Sequence, residues 1–249
     1  MAENTLREQV AIVTGASRGI GEAIARQLAL LGATVVLAAR NRSRLEEIAR
    51  NWGAEGLPVR IRPTDVRRAE EIEALVHSTV APPGPGERSE GGLGRLDIIV
   101  NNAGIGCFGR PLHELPPADW QAVMETNLRP AYLLMRAAVP HMIRRQSGHI
   151  INIASLAAHN PVPQGAAYAA SKWGLKGLTV SAAEELRGYG IRVSLVCPGS
   201  VDTDLVPDRG KNRAAMLQAE DVAHVVALLV TQAPQSFVSE VLMRPTHKP

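Results

Sequence analysis

A glycine-rich turn, TGASRGIG (14–21), follows the short apolar run QVAIVT (9–14) and opens a stretch, IGEAIARQLALLG, whose apolar residues recur every three and four positions. Few folds accept a strand that ends in glycines and runs directly into a helix. Glycine tolerates left-handed backbone and close approach, so such a turn can fold tightly and seat a pyrophosphate at the helix N-terminus. Gly15, Gly19 and Gly21 give the spacing G-x-x-x-G-x-G, which differs from the commoner G-x-G-x-x-G but works by the same physics. In isolation the turn is weak evidence; at the first strand–helix junction of an α/β chain it is strong.

The rest of the chain has that α/β character. Apolar, β-branched runs at 34–39 (TVVLAA), 57–63 (LPVRIRP), 96–101 (LDIIVN), 149–154 (HIINIA), 191–197 (IRVSLVC) and 240–243 (EVLM) alternate with amphipathic stretches. Gly32 is placed to end the first helix. Near-uniform apolarity is the mark of strands covered on both faces. Alternation at this spacing predicts an α/β fold: a doubly wound parallel sheet with right-handed crossovers and helices on both faces. No repeat or linker divides the 249 residues, so one domain, 1–249, is expected. The Pro/Gly-rich segment APPGPGERSEGGLG (81–94) is expected to be a flexible surface insertion.

Composition excludes several function classes. The net charge of +3 comes from scattered arginines, and aromatics make up only 3% of the chain. A nucleic-acid binder would need a basic stripe with stacking aromatics, so none is expected as a partner. Cys107 and Cys197 have no CxxC partner and read as free thiols. The seven histidines lack HxxH, HxxxH or HExxH spacing, so no metal is expected. No apolar run approaches the roughly 18 residues of a membrane span. The polar start, MAENTLREQ, does not resemble a secretory signal, and a cytoplasmic location is the expectation.

The end of the second strand bears on which dinucleotide would bind. Proteins selecting NAD usually place an acid there to hold the ribose 2′-hydroxyl. Here the strand ends LAARNRSR, with Arg40 in the acid's place and Arg18 inside the glycine turn. Guanidiniums bind a 2′-phosphate through charge-assisted bonds, whereas a carboxylate would repel it. NADP(H) is therefore expected ahead of NAD(H). Arg42 and Arg44 are expected to be solvated, with Arg44 facing Glu46 or Glu47.

Together, TGASRGIG, NNAG (101–104), Ser155, YAASK (168–172) and PG (198–199), in this order, resemble the short-chain dehydrogenase/reductase family across essentially the whole chain. The resemblance implies a seven-stranded Rossmann-type fold and hydride transfer between a nicotinamide and a carbonyl or alcohol. It implies Tyr168 as general acid/base, Lys172 as the residue that tunes it, Ser155 as donor to the substrate oxygen, and Asn127 as part of a proton relay. Cofactor contacts are implied for Gly15, Ser17, Arg18, Gly19, Ile20, Gly21 and Arg40. Further along they are implied for Asp65, Val66, Asn102, Ala103, Gly104, Tyr168, Lys172, Pro198, Gly199, Val201 and Thr203.

Residue chemistry supports these roles. A free tyrosine, with a pKa of about 10, is a poor base at neutral pH, and a nearby ammonium favours the phenolate. Tyr168 and Lys172 lie four apart, on one helical face. Pro130 has no N–H for the Thr126 carbonyl, so the helix carrying Asn127 should bend there and free carbonyls to hold a water. Substrate contacts are expected from LAAHNPVPQG after Ser155, where His159 and Gln164 either bind a polar group or face water, and from SVDTDLVPDRGKNRAAM after Gly199. A 3-oxoacyl thioester on a carrier protein is one substrate class the resemblance implies; small ketones, sugars or steroids are others. A rival reading is a catalytically silent, NADP(H)-binding redox sensor, against which the intact Ser155, Tyr168 and Lys172 argue. Amphipathic helices at 118–145 and 166–187 resemble those that pair subunits in the family, implying a homodimer or homotetramer.

Overall fold

The computed structural model describes residues 5–82, 91–205, 212–233 and 235–247. In chain order the elements are β1 (Val10–Thr14), α1 (Gly19–Leu30), β2 (Thr34–Ala39), α2 (Arg42–Ala54), β3 (Val59–Pro63), α3 (Ala69–Val80) and β4 (Ile98–Asn101). They continue with α4 (Pro117–Asn127), α5 (Arg129–Arg145), β5 (Gly148–Ile153), α6 (Ala166–Arg187), β6 (Ile191–Pro198), α7 (Ala219–Val230) and β7 (Glu240–Met243). The strands form one seven-stranded sheet in the order β3-β2-β1-β4-β5-β6-β7, with every pair parallel. This is the Rossmann-type arrangement. Strand order reverses between β1 and β4, and the crevice at such a switch point is where these sheets bind ligands.

Apolar packing covers both faces. On one, Ile24 and Leu28 of α1 meet Val222, Val226 and Leu229 of α7 over Val13, Leu37 and Val100. On the other, Leu75 and Val76 of α3 join Leu134 and Met142 of α5 and Leu186 of α6 over Ile12, Ile99 and Ile150. Successive strand residues point to opposite faces, which is why the central strands read as unbroken apolar runs. The edges depart from that reading. In β3 no residue is fully buried, and in β7 Leu242 is 45% exposed. An edge strand has a neighbour on one side only, so Arg60 and Arg62 are tolerated in β3.

Gly32 adopts φ +97° just past α1, as its placement predicts. The segment expected to bend at Pro130 divides into α4 and α5 at Leu128 (φ −115°, ψ −58°). Residues 83–90 of the expected insertion lie outside the described residues. Its ends are pinned, Leu93 N–H to the Thr79 carbonyl and Gly94 N–H to that of Ala81, both at 2.8 Å. No helix among the described residues is long and apolar enough to cross a membrane.

Candidate active site

The glycine turn is held from below by a residue the sequence reading did not single out. Thr14, the last residue of β1, donates its hydroxyl to the Val100 carbonyl at 3.2 Å and accepts from the N–H groups of Asn102 (3.0 Å) and Ala103 (3.2 Å). One donor and two lone pairs are thereby all used. Asn102 returns the contact, its Nδ2 donating to the Thr14 carbonyl at 3.0 Å and approaching that of Gly15 at 3.5 Å. β1 and β4 are knotted together at the switch point, and the turn rests on the knot.

Glycine is required here by space as well as conformation. Gly15 and Gly19 have φ of +66° and +54°. A Cβ on Gly21 would fall 2.3 Å from the Gly15 carbonyl oxygen, and one on Gly15 would fall 2.9 Å from Asn102 Nδ2. Bare backbone folded this closely at the start of α1 fits a dinucleotide's phosphates.

Beside the turn, Arg40 at the end of β2 is exposed, with the Asp65 carboxylate close enough to feel its charge. Asp65 is held at about 2, mainly by its hydrogen bonds from Arg67, whose Nε and NH2 both reach it. Its neighbour Val66 is buried. Arg18 pairs with Asp204 at 3.0 Å, both side chains more than 70% exposed, a pair of little energetic weight. Arg44 departs from expectation. It does meet Glu47, at 2.7 Å, but it also bonds Glu22 of α1 at 3.0 Å and points Nε at the Ser17 carbonyl, tying α2 to the glycine turn.

Ser155, Tyr168 and Lys172 come together at the C-terminal end of β5. Ser155 caps a 3-10 turn (Leu156–Ala158), its Oγ accepting from Ala157 N–H at 3.1 Å, and its side chain is near enough to Tyr168 to favour the phenol's ionised form. Lys172, only 5% exposed, donates Nζ to the Ile153 carbonyl at 2.9 Å and stands 5.7 Å from the centre of the Tyr168 ring. Phe108, from the loop after β4, packs against that ring, the centroids 4.9 Å apart.

The proton energetics differ from the sequence expectation. Burial pushes the Tyr168 phenol above its usual value, with the nearby Ser155 side chain opposing. Burial also pushes the Lys172 ammonium down, to about 8. Desolvation disfavours the charged form of each group and is the largest influence on both.

Asn127 is more than a local distortion at a helix end. Its Oδ1 accepts from Ile105 N–H at 2.8 Å, and its Nδ2 donates to the Ile105 carbonyl at 3.0 Å and to Ser171 Oγ at 3.1 Å. Ser171 in turn donates to the Tyr168 carbonyl at 2.7 Å. Asn127 therefore clamps the loop carrying Gly104 and Phe108 onto the helix carrying Tyr168 and Lys172. Its side chain makes no hydrogen bond to Lys172; on α6 it bonds Ser171 instead.

Gly199 follows Pro198 at the end of β6, its N–H bonded to the Met243 carbonyl at 2.9 Å. Val201 is buried and bridges to Leu217, while the Thr203 side chain lies 3.2 Å from where a Gly19 Cβ would sit. Thr203 thus belongs to the glycine turn's surroundings. Residues 206–211 of the segment expected to contact substrate lie outside the described residues. Gln164 takes φ +57°, and its carbonyl accepts from Gly109 N–H at 2.9 Å. His159 neither reaches solvent freely nor stands alone: Nε2 lies 2.6 Å from Glu240 Oε1, and Lys176 Nζ lies 3.1 Å from Nδ1.

Against known proteins, the family model described as short chain dehydrogenase matches residues 9–214, most of the chain. An uncharacterized oxidoreductase of Staphylococcus epidermidis is 32% identical over 240 residues, 96% of this chain and 98% of the relative. Among solved structures, a metagenomic short-chain oxidoreductase in complex with NADP is 50% identical, with a TM-score of 0.83 over 98% of this chain and all of that one. An alcohol dehydrogenase from the archaeon Thermococcus sibiricus, complexed with 5-hydroxy-NADP, is 30% identical, with a TM-score of 0.84 over 97% and 98%. Family model, relatives and sheet order agree: this chain is an oxidoreductase belonging to the short-chain dehydrogenase/reductase family.

Proposed function

We propose that the protein interconverts a ketone and a secondary alcohol with NADP(H), Tyr168 carrying the proton and Ser155 donating a hydrogen bond to the substrate oxygen. The observation that carries this reading is the meeting of Ser155, Tyr168 and buried Lys172 at the carboxyl end of β5, beside the switch point. When bound, NADP(H) supplies or accepts the hydride. In the reductive direction the Tyr168 hydroxyl gives its proton to the substrate oxygen, and a phenol kept protonated by burial is in the correct state for that step. Lys172, whose ammonium burial pushes down to about 8, can restore that proton. Phe108 screens Tyr168 from water.

The glycine turn with Ser17 and Ile20 would hold the pyrophosphate, and Arg18 and Arg40 the 2′-phosphate. Asp65 and Val66 would flank the adenine. Asn102–Gly104, Pro198, Gly199, Val201 and Thr203 would line the nicotinamide side. The NADP in one solved relative and the 5-hydroxy-NADP in another support the choice of cofactor. We read 1–249 as one catalytic domain acting on a small ketone or on a 3-oxoacyl thioester of a carrier protein. The exposed Tyr132 of α5 and Trp173 and Val180 of α6 suit pairing of two copies into a homodimer or homotetramer. Loss of NADPH absorbance against a panel of ketones, acyl thioesters and quinones tests the reading. Tight NADPH binding with no turnover of any of them would replace it with a silent binding protein.

A further inference from the structure

Behind the catalytic serine lies a second cluster of reactive side chains. His159 follows the 3-10 turn that begins at Ser155, Cys197 is at the buried end of β6, and Glu240 opens β7. One ligand atom from each falls within 4.8 Å of the others. His159 Nε2 is 2.6 Å from Glu240 Oε1, and Cys197 Sγ is 3.8 Å from that same oxygen. Imidazole, thiolate and carboxylate are the donors zinc prefers, and bonds of about 2.0–2.3 Å put tetrahedral ligands roughly 3.3–3.8 Å apart. Small side-chain movements therefore turn this cluster into a three-ligand site. Cys197 forms its floor, while His159 and Glu240, 20% and 30% exposed, leave it open to solvent.

A built-in cation already sits there. Lys176 Nζ lies 3.1 and 3.3 Å from the two His159 nitrogens and 3.8 Å from Glu240 Oε1. The same ammonium is 5.8 Å from the Trp173 ring, a face onto which it can withdraw. We propose that His159, Cys197 and Glu240 form a site for Zn²⁺ or a similar borderline-soft divalent ion, that Lys176 competes with the ion for it, and that occupancy stiffens the segment starting at Ser155. Binding forms a metal–sulfur bond and releases the Cys197 thiol proton to solvent, while Glu240 exchanges its contacts to His159 and Lys176 for the metal. No oxidation state changes, and water completes the coordination. The link to Ser155 is short: Ala154 N–H, just before it, bonds the Val196 carbonyl, just before Cys197, at 2.8 Å, and the turn joining Ser155 to His159 is closed by Ala158 N–H to the Ser155 carbonyl at 2.9 Å.

The test is titration of the full-length protein with Co²⁺, read by its thiolate-to-cobalt absorption, and competition with Zn²⁺. Expected are one ion per chain, a band retained in Cys107→Ser and lost in Cys197→Ser, and weaker binding in His159→Gln. Lys176→Met should tighten binding by at least about tenfold, because it removes a competing charge from a partly buried site. Hydrogen exchange of residues 155–160 should slow on Zn²⁺ addition. Absence of a Cys197-dependent band, or unchanged or weaker binding in Lys176→Met, would overturn the site. Unchanged exchange with metal bound would overturn the coupling to Ser155. Neither readout needs turnover, so failure here is distinct from failure of the proposed reaction.

Discussion

Lys172 Nζ stands 5.7 Å from the centre of the Tyr168 ring, one turn along the same helix, in a compartment that both groups share and water scarcely enters. If Tyr168 moves the proton, its hydroxyl is irreplaceable while its ring is not. Tyr168→Phe is expected to lower kcat by about 10²–10⁴, the usual weight of general acid–base catalysis, and to leave NADPH affinity within a few-fold. Steady-state kinetics and fluorescence titration of NADPH separate the two.

Asn127 fills three hydrogen bonds across 22 and 44 residues of chain. In Asn127→Ala the Ile105 N–H and carbonyl lose their partners. A loss of about 1–3 kcal/mol is expected, read from the denaturant midpoint, together with a fall in kcat. Unchanged stability would mean that the clamp is dispensable.

Two glycines give opposite expectations. Gly21→Ala forces a Cβ to within 2.3 Å of the Gly15 carbonyl, so the turn must open, and NADPH affinity should fall more than tenfold. Gly53→Ala in α2 meets nothing within 4 Å and should stabilise by about 0.5–1 kcal/mol, as removal of a glycine from a helix does. Calorimetric melting and cofactor titration of both variants check this.

Arg40→Asp should reverse cofactor preference. Losing a charge-assisted bond costs about 1.5–3 kcal/mol, or tenfold and more in NADP(H) affinity, and the new carboxylate can hold a 2′-hydroxyl. Tighter NAD(H) than NADP(H) binding by the unsubstituted protein would refute the assignment.

His149 sets an acid limit on stability. Ser194 spends its one proton on the Val238 carbonyl at 2.7 Å, so His149 Nε2 must donate to Ser194 Oγ at 2.8 Å, and the ring is neutral. Burial, helped by Arg192, pushes it down to about 3. The unfolded chain takes up this proton near pH 6.5 and the folded chain does not. Stability is therefore full above about 6.5 and is lost as pH falls toward about 3. His149→Gln can keep the Ser194 bond without titrating, and its unfolding free energy should fall less between pH 7.5 and 4 than that of the unsubstituted protein.

Sequence alone determined the sheet, the glycine turn and the identity of the candidate proton carriers. Strand alternation and the helical repeat are local patterns, and part of the need for glycine is local too: Gly15 and Gly19 take positive φ, and a Cβ on Gly21 would strike the Gly15 carbonyl. Even the break between α4 and α5 was legible, since Pro130 enforces it within one helical turn. Tertiary structure alone decided what those residues touch. Thr14 meets Asn102 across 88 residues, and His159 meets Glu240 across 81, because sheet order sets strands side by side that are far apart in the chain. The direction of the Tyr168 shift belongs with these. An ammonium four residues away argues for a lowered value, but the balance between attraction and desolvation depends on burial, which only the packing of Phe108, β5 and α6 around the ring establishes.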